Sequence, residues 1–320
     1  MRTILVSGAS GIVGYGILKC LRKDGYKLIG TTIYPHSPAE CFSDIVEIVP
    51  KTSDNQYLSC LIEIIKKYNV DMIIPGIEAD MALWNTYRNV LEAAGTFVLL
   101  NTKELVELCL DKWLFYQKLK ECMKDHDCCI PSSVTADFKK FKTPFILKPR
   151  CGFGSKGIVK VDSEDVFEIY REKIGKDLMV QEYIGDDDSE YTVSGFFDMK
   201  SEMKAHIAMR RKLSSNGYTD QAEVEDIAEF KPIILELARI FHPIGPTNFQ
   251  FRRSNGIWKL LEINPRISSS TSIKNLFGYN EAQMTIDYFL DGKDIRQPKI
   301  RGGRAIRYIE DYCFYDCDNI

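Results

Sequence analysis

No uninterrupted apolar run in the 320 residues approaches the about 20 needed to cross a bilayer. The start, Met1-Arg2-Thr3-Ile4-Leu5-Val6, runs straight into a strand pattern instead of a secretory leader. A cytoplasmic protein is therefore expected. A basic excess is also missing: 42 Lys and Arg stand against 45 Asp and Glu, a net charge of -3. That leaves no electrostatic footprint for nucleic acid. The ten cysteines include no Cys-x-x-Cys pair, and the nearest grouping, Cys122, His126, Cys128 and Cys129, matches no zinc spacing. The thiols are expected to be reduced and mostly core filler. Nor does any Ser/His/Asp or Cys/His arrangement for nucleophilic catalysis stand out.

What is present is a polar hairpin pattern over 246–266. Thr247-Asn248-Phe249-Gln250-Phe251 and Ile257-Trp258-Lys259-Leu260-Leu261-Glu262-Ile263-Asn264 read as strands flanking Ser254-Asn255-Gly256. Alternation puts Glu262 and Asn264 on one face. A two-residue Asn-Gly loop sets Gln250 opposite Leu261, on the other face; a three-residue loop with Gly256 left-handed sets it opposite Leu260. The second register is the expectation, with Gln250 and Glu262 diagonal neighbours roughly 7–8 Å apart. One carboxylate and two amides suit Mg²⁺, a hard cation that takes oxygen ligands and keeps several waters. Taken alone, the pattern equally fits an amphipathic hairpin with a wet polar face.

The rest of the chain alternates strands and helices. Ile4-Leu5-Val6 runs into Gly8-Ala9-Ser10-Gly11-Ile12-Val13-Gly14, which opens a helix through Ile17, Leu18 and Leu21, as in a doubly wound sheet. Such a turn can present N–H groups to a phosphate, so a nicotinamide-dependent reductase is an alternative function. Tyr-x-x-x-Lys matches at Tyr15 with Lys19 and Tyr116 with Lys120 give it weak support. Against it, the second strand ends at Tyr34-Pro35 with no carboxylate for a ribose. The glycines are expected instead to let the first helix pack closely on the sheet. A helix over 57–68 follows, then a strand at 72–75, after which Glu78 and Asp80 either face a substrate or charge the next helix. From Thr102 the pattern is helical, and Asp111-Lys112 opens a second helical stretch.

A new lobe begins with Pro144-Phe145-Ile146-Leu147-Lys148-Pro149-Arg150 and the glycine hairpin Cys151-Gly152-Phe153-Gly154-Ser155-Lys156-Gly157. Lysine before a flexible glycine hairpin suits a lid over phosphates. Later, Glu182 and Glu190 are carboxylates able to accept hydrogen bonds from ribose hydroxyls.

In order and spacing, Lys148-Pro149, the glycine loop, Gln181-Glu182-Tyr183-Ile184, Gln250 and Leu261-Glu262-Ile263-Asn264-Pro265-Arg266 resemble the ATP-grasp superfamily. The resemblance covers nearly the whole chain and is strongest to the synthetase modules of the carbamoyl-phosphate synthase large chain. It implies an α/β and α+β fold: an N-terminal Rossmann-like pre-ATP-grasp domain over 1–108, a small lobe or lid over 109–185, and a C-terminal lobe with the metal site over 186–320. It implies that Lys112, Lys148 and the loop residues Gly152, Gly154, Ser155 and Gly157 hold ATP phosphates. Glu182, Tyr183 and Ile184 would lie at the adenine, with Gln181 also in the cofactor site, and Glu190 at the ribose. Gln250, Glu262 and Asn264 would hold Mg²⁺ and Arg266 would face an acyl phosphate, while Arg210 and Arg211 would either contact phosphate or substrate or form a basic solvated edge.

The activity so implied is an ATP- and Mg²⁺-dependent carboxylate-amine ligase working through an acyl phosphate on small-molecule substrates, with no nucleic-acid or membrane partner and a homodimer left open. A nucleotide-binding protein without catalysis is a further alternative. The length admits one synthetase unit, so the chain is not a whole carbamoyl-phosphate synthase. Gln250 also stands where many ATP-grasp enzymes place an acid.

Overall fold

A computed structural model describes residues 1–22, 25–123, 127–152, 157–185, 190–214 and 216–314. The N-terminal part comprises β1 (Thr3–Val6), α1 (Ile12–Leu21), β2 (Lys27–Thr32), α2 (Ala39–Phe42), β3 (Ile45–Ile48), α3 (Tyr57–Tyr68), β4 (Met72–Ile74), α4 (Glu78–Thr86), α5 (Arg88–Ala93) and β5 (Phe97–Val98). Its strands form a parallel sheet in the order β3-β2-β1-β4-β5. Ile4 and Val6 pack with Ile17, Leu18 and Leu21 on one face, while Leu5 and Ile29 pack with Leu61, Ile65 and Trp84 on the other. Burial on both faces is why these strands read as continuous apolar runs.

The glycines of the first turn serve packing, as expected. A Cβ on Gly14 would stand 2.4 Å from the Gly8 carbonyl oxygen, so only glycine lets α1 come this close. The space beside Gly8 is filled by Ile77, whose Cγ2 lies 2.5 Å from where a Gly8 Cβ would be. Tyr15 stacks on Phe42 at 6.0 Å between ring centroids, with Lys19 over the same ring. That tyrosine-lysine pair is thus taken up in packing, and nothing in this turn favours a dinucleotide.

Two helices lead onward, α6 (Lys103–Leu110) and α7 (Lys112–Cys122). Asp111 caps α7, accepting from the backbone N–H of Trp113 at 2.8 Å, and pairs with Arg150 at 2.6 Å. A second sheet, in the order β6-β9-β7-β8, contains β6 (Ser132–Ser133), β7 (Phe145–Pro149), β8 (Val159–Val161) and β9 (Leu178–Glu182), with α8 (Glu164–Tyr170) packed beneath through Phe167.

The third sheet has the order β14-β13-β10-β11-β12-β15. Its members are β10 (Glu190–Phe197), β11 (Met203–Leu213), β12 (Thr219–Val224), β13 (Gly245–Ser254), β14 (Ile257–Asn264) and β15 (Arg304–Ile306), accompanied by α9 (Phe230–Phe241), α10 (Thr271–Leu276) and α11 (Glu281–Phe289). One face packs Val193, Phe249, Phe251 and Leu260 against α9. The other packs Phe196, Ile207 and Met209 against α10 and is polar beyond them. That polar stretch carries the candidate site.

Cys128 is buried in the α9 core, as core filler should be, and His126 lies outside the described residues. Among the described residues no cluster of His, Cys, Asp and Glu could hold a metal, and no helix is long and apolar enough to cross a membrane.

Candidate active site

The hairpin brings Gln250, Glu262 and Asn264 to one face, but by a route the sequence reading did not foresee. The turn has two residues, with Ser254 paired to Ile257 and both Asn255 (φ 50) and Gly256 (φ 79) left-handed. This is the form favoured for Asn-Gly hairpins, and the expected three-residue loop is corrected. Left alone it would send Gln250 to the wrong face. A bulge at Leu261 compensates: Phe251 pairs with Leu260, then Gln250 with Glu262 and Asn248 with Asn264. One extra residue in β14 reverses the alternation, and Gln250 ends directly opposite Glu262, not diagonal to it.

Within the set, Asn264 Nδ2 donates to Glu262 Oε1 at 2.9 Å, and Arg266 Nη2 donates to Asn264 Oδ1 at 3.1 Å. The same Arg266 nitrogen meets Glu78 Oε1 at 2.5 Å, across from the N-terminal domain. Glu78 therefore faces the site, whereas Asp80 is buried and accepts from Thr52 Oγ1 at 2.5 Å. Burial pushes the Cys109 thiol upward, with Glu262 and Glu78 adding to the shift and Lys112 opposing it. These charged groups thus converge around one thiol.

Lys148 approaches from the second sheet and is 8% exposed. Its ammonium donates to Gln181 Oε1 at 2.8 Å, and Gln181 Nε2 donates to Ser132 Oγ at 2.9 Å. Gln181 therefore links Lys148 to Ser132 through its side-chain amide. Burial pulls Lys148 down to about 8, with Glu262 opposing and Lys112 assisting. Lys112 Nζ donates to the Gly152 carbonyl at 2.5 Å, and its backbone N–H to Arg150 O at 2.8 Å. The Asp111 cap thus ties the start of α7 to the end of β7.

Glu182 is half-buried, with its backbone N–H on Pro131 O at 2.9 Å. Tyr183 lies under Lys160, 4.8 Å from Nζ to the ring centroid, and the Ile184 carbonyl accepts from Arg252 at 3.3 Å. In the glycine loop Gly152 and Gly157 are described, while Gly154 and Ser155 lie outside the described residues.

Glu190 differs from expectation. It is 4% exposed, and both its oxygens are occupied: Arg211 donates to Oε1 at 2.6 and 3.1 Å, and Arg252 to Oε2 at 3.0 and 3.2 Å. Four donors exhaust its lone pairs and leave none for a ribose hydroxyl. Arg211 is correspondingly a buried partner of Glu190. Arg210 points to the opposite face, since neighbours in a strand alternate, and pairs at the surface with Glu223 at 2.6 Å and Glu225 at 2.8 Å. Its expected phosphate or substrate role is corrected.

Two further polar residues carried no sequence signal. Asn248 is fully buried on the polar face beside Gln250, and among the described residues its Nδ2 has no partner. Arg307 arrives on the chain beyond β15: its Nη2 donates to the Ser269 carbonyl at 2.5 Å, and its guanidinium lies 5.9 Å from the Tyr218 ring centroid. Burial pulls Arg307 below its ordinary value, and among the described residues it has no carboxylate within ion-pair distance. No spacing in the sequence marks Arg307, because what places it is the pairing of β15 with β12.

Residues 175–312 match the family model described as ATP-grasp in the biosynthetic pathway with Ter operon, and residues 5–99 match that of the PylC-like, N-terminal domain. The carbamoyl phosphate synthase large chain of Methanothrix thermoacetophila is 25% identical over 300 residues, spanning 83% of this chain and 27% of that relative. Among solved structures, N5-carboxyaminoimidazole synthetase from Staphylococcus aureus complexed with ADP superimposes with a TM-score of 0.74 at 18% identity, covering 93% of this chain and 80% of that one. The L-amino acid ligase from Bacillus licheniformis gives 0.67 at 15% identity, covering 90% and 74%. At these identities the likeness is one of fold.

Proposed function

We propose that this chain, an ATP-grasp fold behind a PylC-like N-terminal domain, is an ATP- and Mg²⁺-dependent ligase that joins a small carboxylate to an amine through an acyl phosphate. The observation that carries this reading is the buried ammonium of Lys148, held by a neutral amide oxygen and facing Glu262. A buried cation without a contacting anion is costly, and a nucleotide phosphate supplies the missing charge. The donor set fits the metal too. Glu262 provides the charge, while the amides of Gln250 and Asn264 provide neutral oxygens, Asn264 after a half-turn that moves Oδ1 toward Glu262. Bound there, Mg²⁺ offsets negative charge on the phosphates.

The chain's own groups then have distinct tasks. Lys112 and Lys148 hold the phosphates, and Arg307, with no carboxylate partner among the described residues, receives the substrate carboxylate. A carboxylate oxygen bonds to the γ-phosphorus as the bond to ADP breaks. The amine nitrogen then bonds to the acyl carbon, phosphate leaves with the electron pair, and the amine sheds a proton to solvent. Arg266 faces the phosphate that leaves. No side-chain nucleophile is needed, because positioning and charge carry the reaction.

A phosphate-release screen across amino acids and small carboxylates, with and without amines, tests the reading. Phosphate release that needs a carboxylate, with ADP as co-product, supports it. Release that is indifferent to carboxylate, or ATP cleaved to AMP, sinks it, and ATP binding without turnover of any carboxylate favours the non-catalytic alternative.

Two further outcomes are expected. Lys148 titrates near 8, so Mg·ATP affinity should fall as pH rises through that value, because the neutral amine no longer attracts phosphate. Lys148→Arg should keep its affinity at higher pH; calorimetry from pH 6 to 9.5 checks both. Cys151 is exposed at the start of the glycine loop, so Mg·ATP should slow its alkylation if the loop closes over phosphates. Equal labelling with and without nucleotide argues against closure.

A further inference from the structure

We propose that Lys274 is a positioning residue for this site: acting through Ser194, it locks the side-chain amide of Asn248 so that Nδ2 is held ready for an oxygen of the transferring phosphoryl group. The inference rests on the ligase reading above and adds a donor to it that neither the motif nor the metal set contains.

Lys274 is wholly buried, with three acceptors around its nitrogen: Ser194 Oγ at 2.7 Å, Ser268 Oγ at 3.1 Å, and the Glu281 carboxylate. An ammonium donates three hydrogen bonds and accepts none. Ser194 Oγ must therefore accept from Lys274 and send its own proton elsewhere. That proton goes to Asn248 Oδ1, 2.9 Å away, and the same oxygen accepts from Thr192 Oγ1 at 2.6 Å. Turning the amide over would leave both hydroxyl protons without that acceptor in a buried place, so its orientation is settled by Lys274 at one remove.

The consequence is directional. Thr192 and Ser194 belong to β10, which flanks β13 on one side, whereas β14 flanks it on the other. With Oδ1 turned toward β10, Nδ2 is turned toward β14, where Asn264 lies directly across. That nitrogen is buried and, among the described residues, has no partner. A donor kept unsatisfied and fixed in place beside a metal-binding carboxylate is suited to a charge that develops only during transfer, since it needs no reorganisation when that charge appears. If the Lys274–Glu281 pair served the fold alone, it would favour all ligand states equally.

Calorimetry comparing Mg·ADP with Mg·ADP plus fluoroaluminate, a mimic of the phosphoryl group in flight, separates these roles without knowledge of the carboxylate. Ser194→Ala removes the bridging hydroxyl and leaves Lys274 on Glu281 and Ser268. It should bind Mg·ADP within about twofold of the parent and the fluoroaluminate complex about tenfold or more weakly. Ser194→Thr, which keeps a hydroxyl, should recover the difference. The double variant Lys274→Met, Glu281→Met, which leaves no buried charge unpaired, should show the same selective loss. Unchanged fluoroaluminate affinity in Ser194→Ala, or equal weakening of both complexes, overturns the inference while leaving the ligase reading intact. Failure of the parent protein to bind Mg·ADP overturns both.

Discussion

Glu262→Ala should cut turnover by at least about 10²–10³-fold, on the scale of removing one preorganised electrostatic group, while leaving the fold intact. Glu262 is the charged member of the metal set, and its loss leaves two neutral amides to hold a divalent ion. It also strips Lys148 of the carboxylate that opposes its loss of charge, so the variant should weaken Mg·ATP binding at pH 8 more than at pH 6. Only half-buried, Glu262 makes a single side-chain hydrogen bond among the described residues, to Asn264, so circular dichroism and thermal unfolding should stay near those of the parent. Phosphate release measured with the carboxylate found in the screen checks the first part, and calorimetry with Mg·ATP at pH 6 and pH 8 the second. Full turnover in Glu262→Ala removes the metal assignment.

For Glu190→Ala the large effect should fall on stability. Removing the carboxylate takes from Arg211, 5% exposed, the counter-ion it holds at 2.6 Å. Breaking a buried pair in this way costs about 3–5 kcal/mol, and thermal or urea unfolding would read it directly. Had Glu190 held a ribose, the same substitution would weaken ATP binding and leave unfolding alone. A variant as stable as the parent that binds ATP poorly restores the ribose role and removes the structural one. Arg211→Met made together with Glu190→Ala should recover part of the loss, because it removes the buried cation that the carboxylate neutralised.

What could be read beforehand, and what could not, divides along sequence separation. The helix opening at Asp111-Lys112 and the close approach of α1 at Gly14 follow from neighbours a few residues apart, and each is found where its pattern put it. Gln250 was placed on the correct face for the wrong reason, since an Asn-Gly turn is legible but a compensating bulge at Leu261 has no local mark. Gln181 and Glu190 read as ligand contacts because a polar residue on a strand looks the same whether it meets a ligand or another side chain. Their partners, Lys148 for the one and Arg211 and Arg252 for the other, come from other strands.

By itself, then, the amino-acid order determined the strands and helices, the shared face of Glu262 and Asn264, the helix opening at Asp111-Lys112, and the family that the whole resembles. These depend on backbone periodicity and on hydrogen bonds within a few residues. Tertiary structure decided which charges are spent and which are not: Arg266 held by Glu78, Glu190 saturated by two arginines, Arg307 set against Ser269 by an added strand, and Asn248 aligned by a buried lysine. Those outcomes arise where three separately formed sheets meet, because Coulomb and hydrogen-bond energies depend on distance in space and not on distance along the chain.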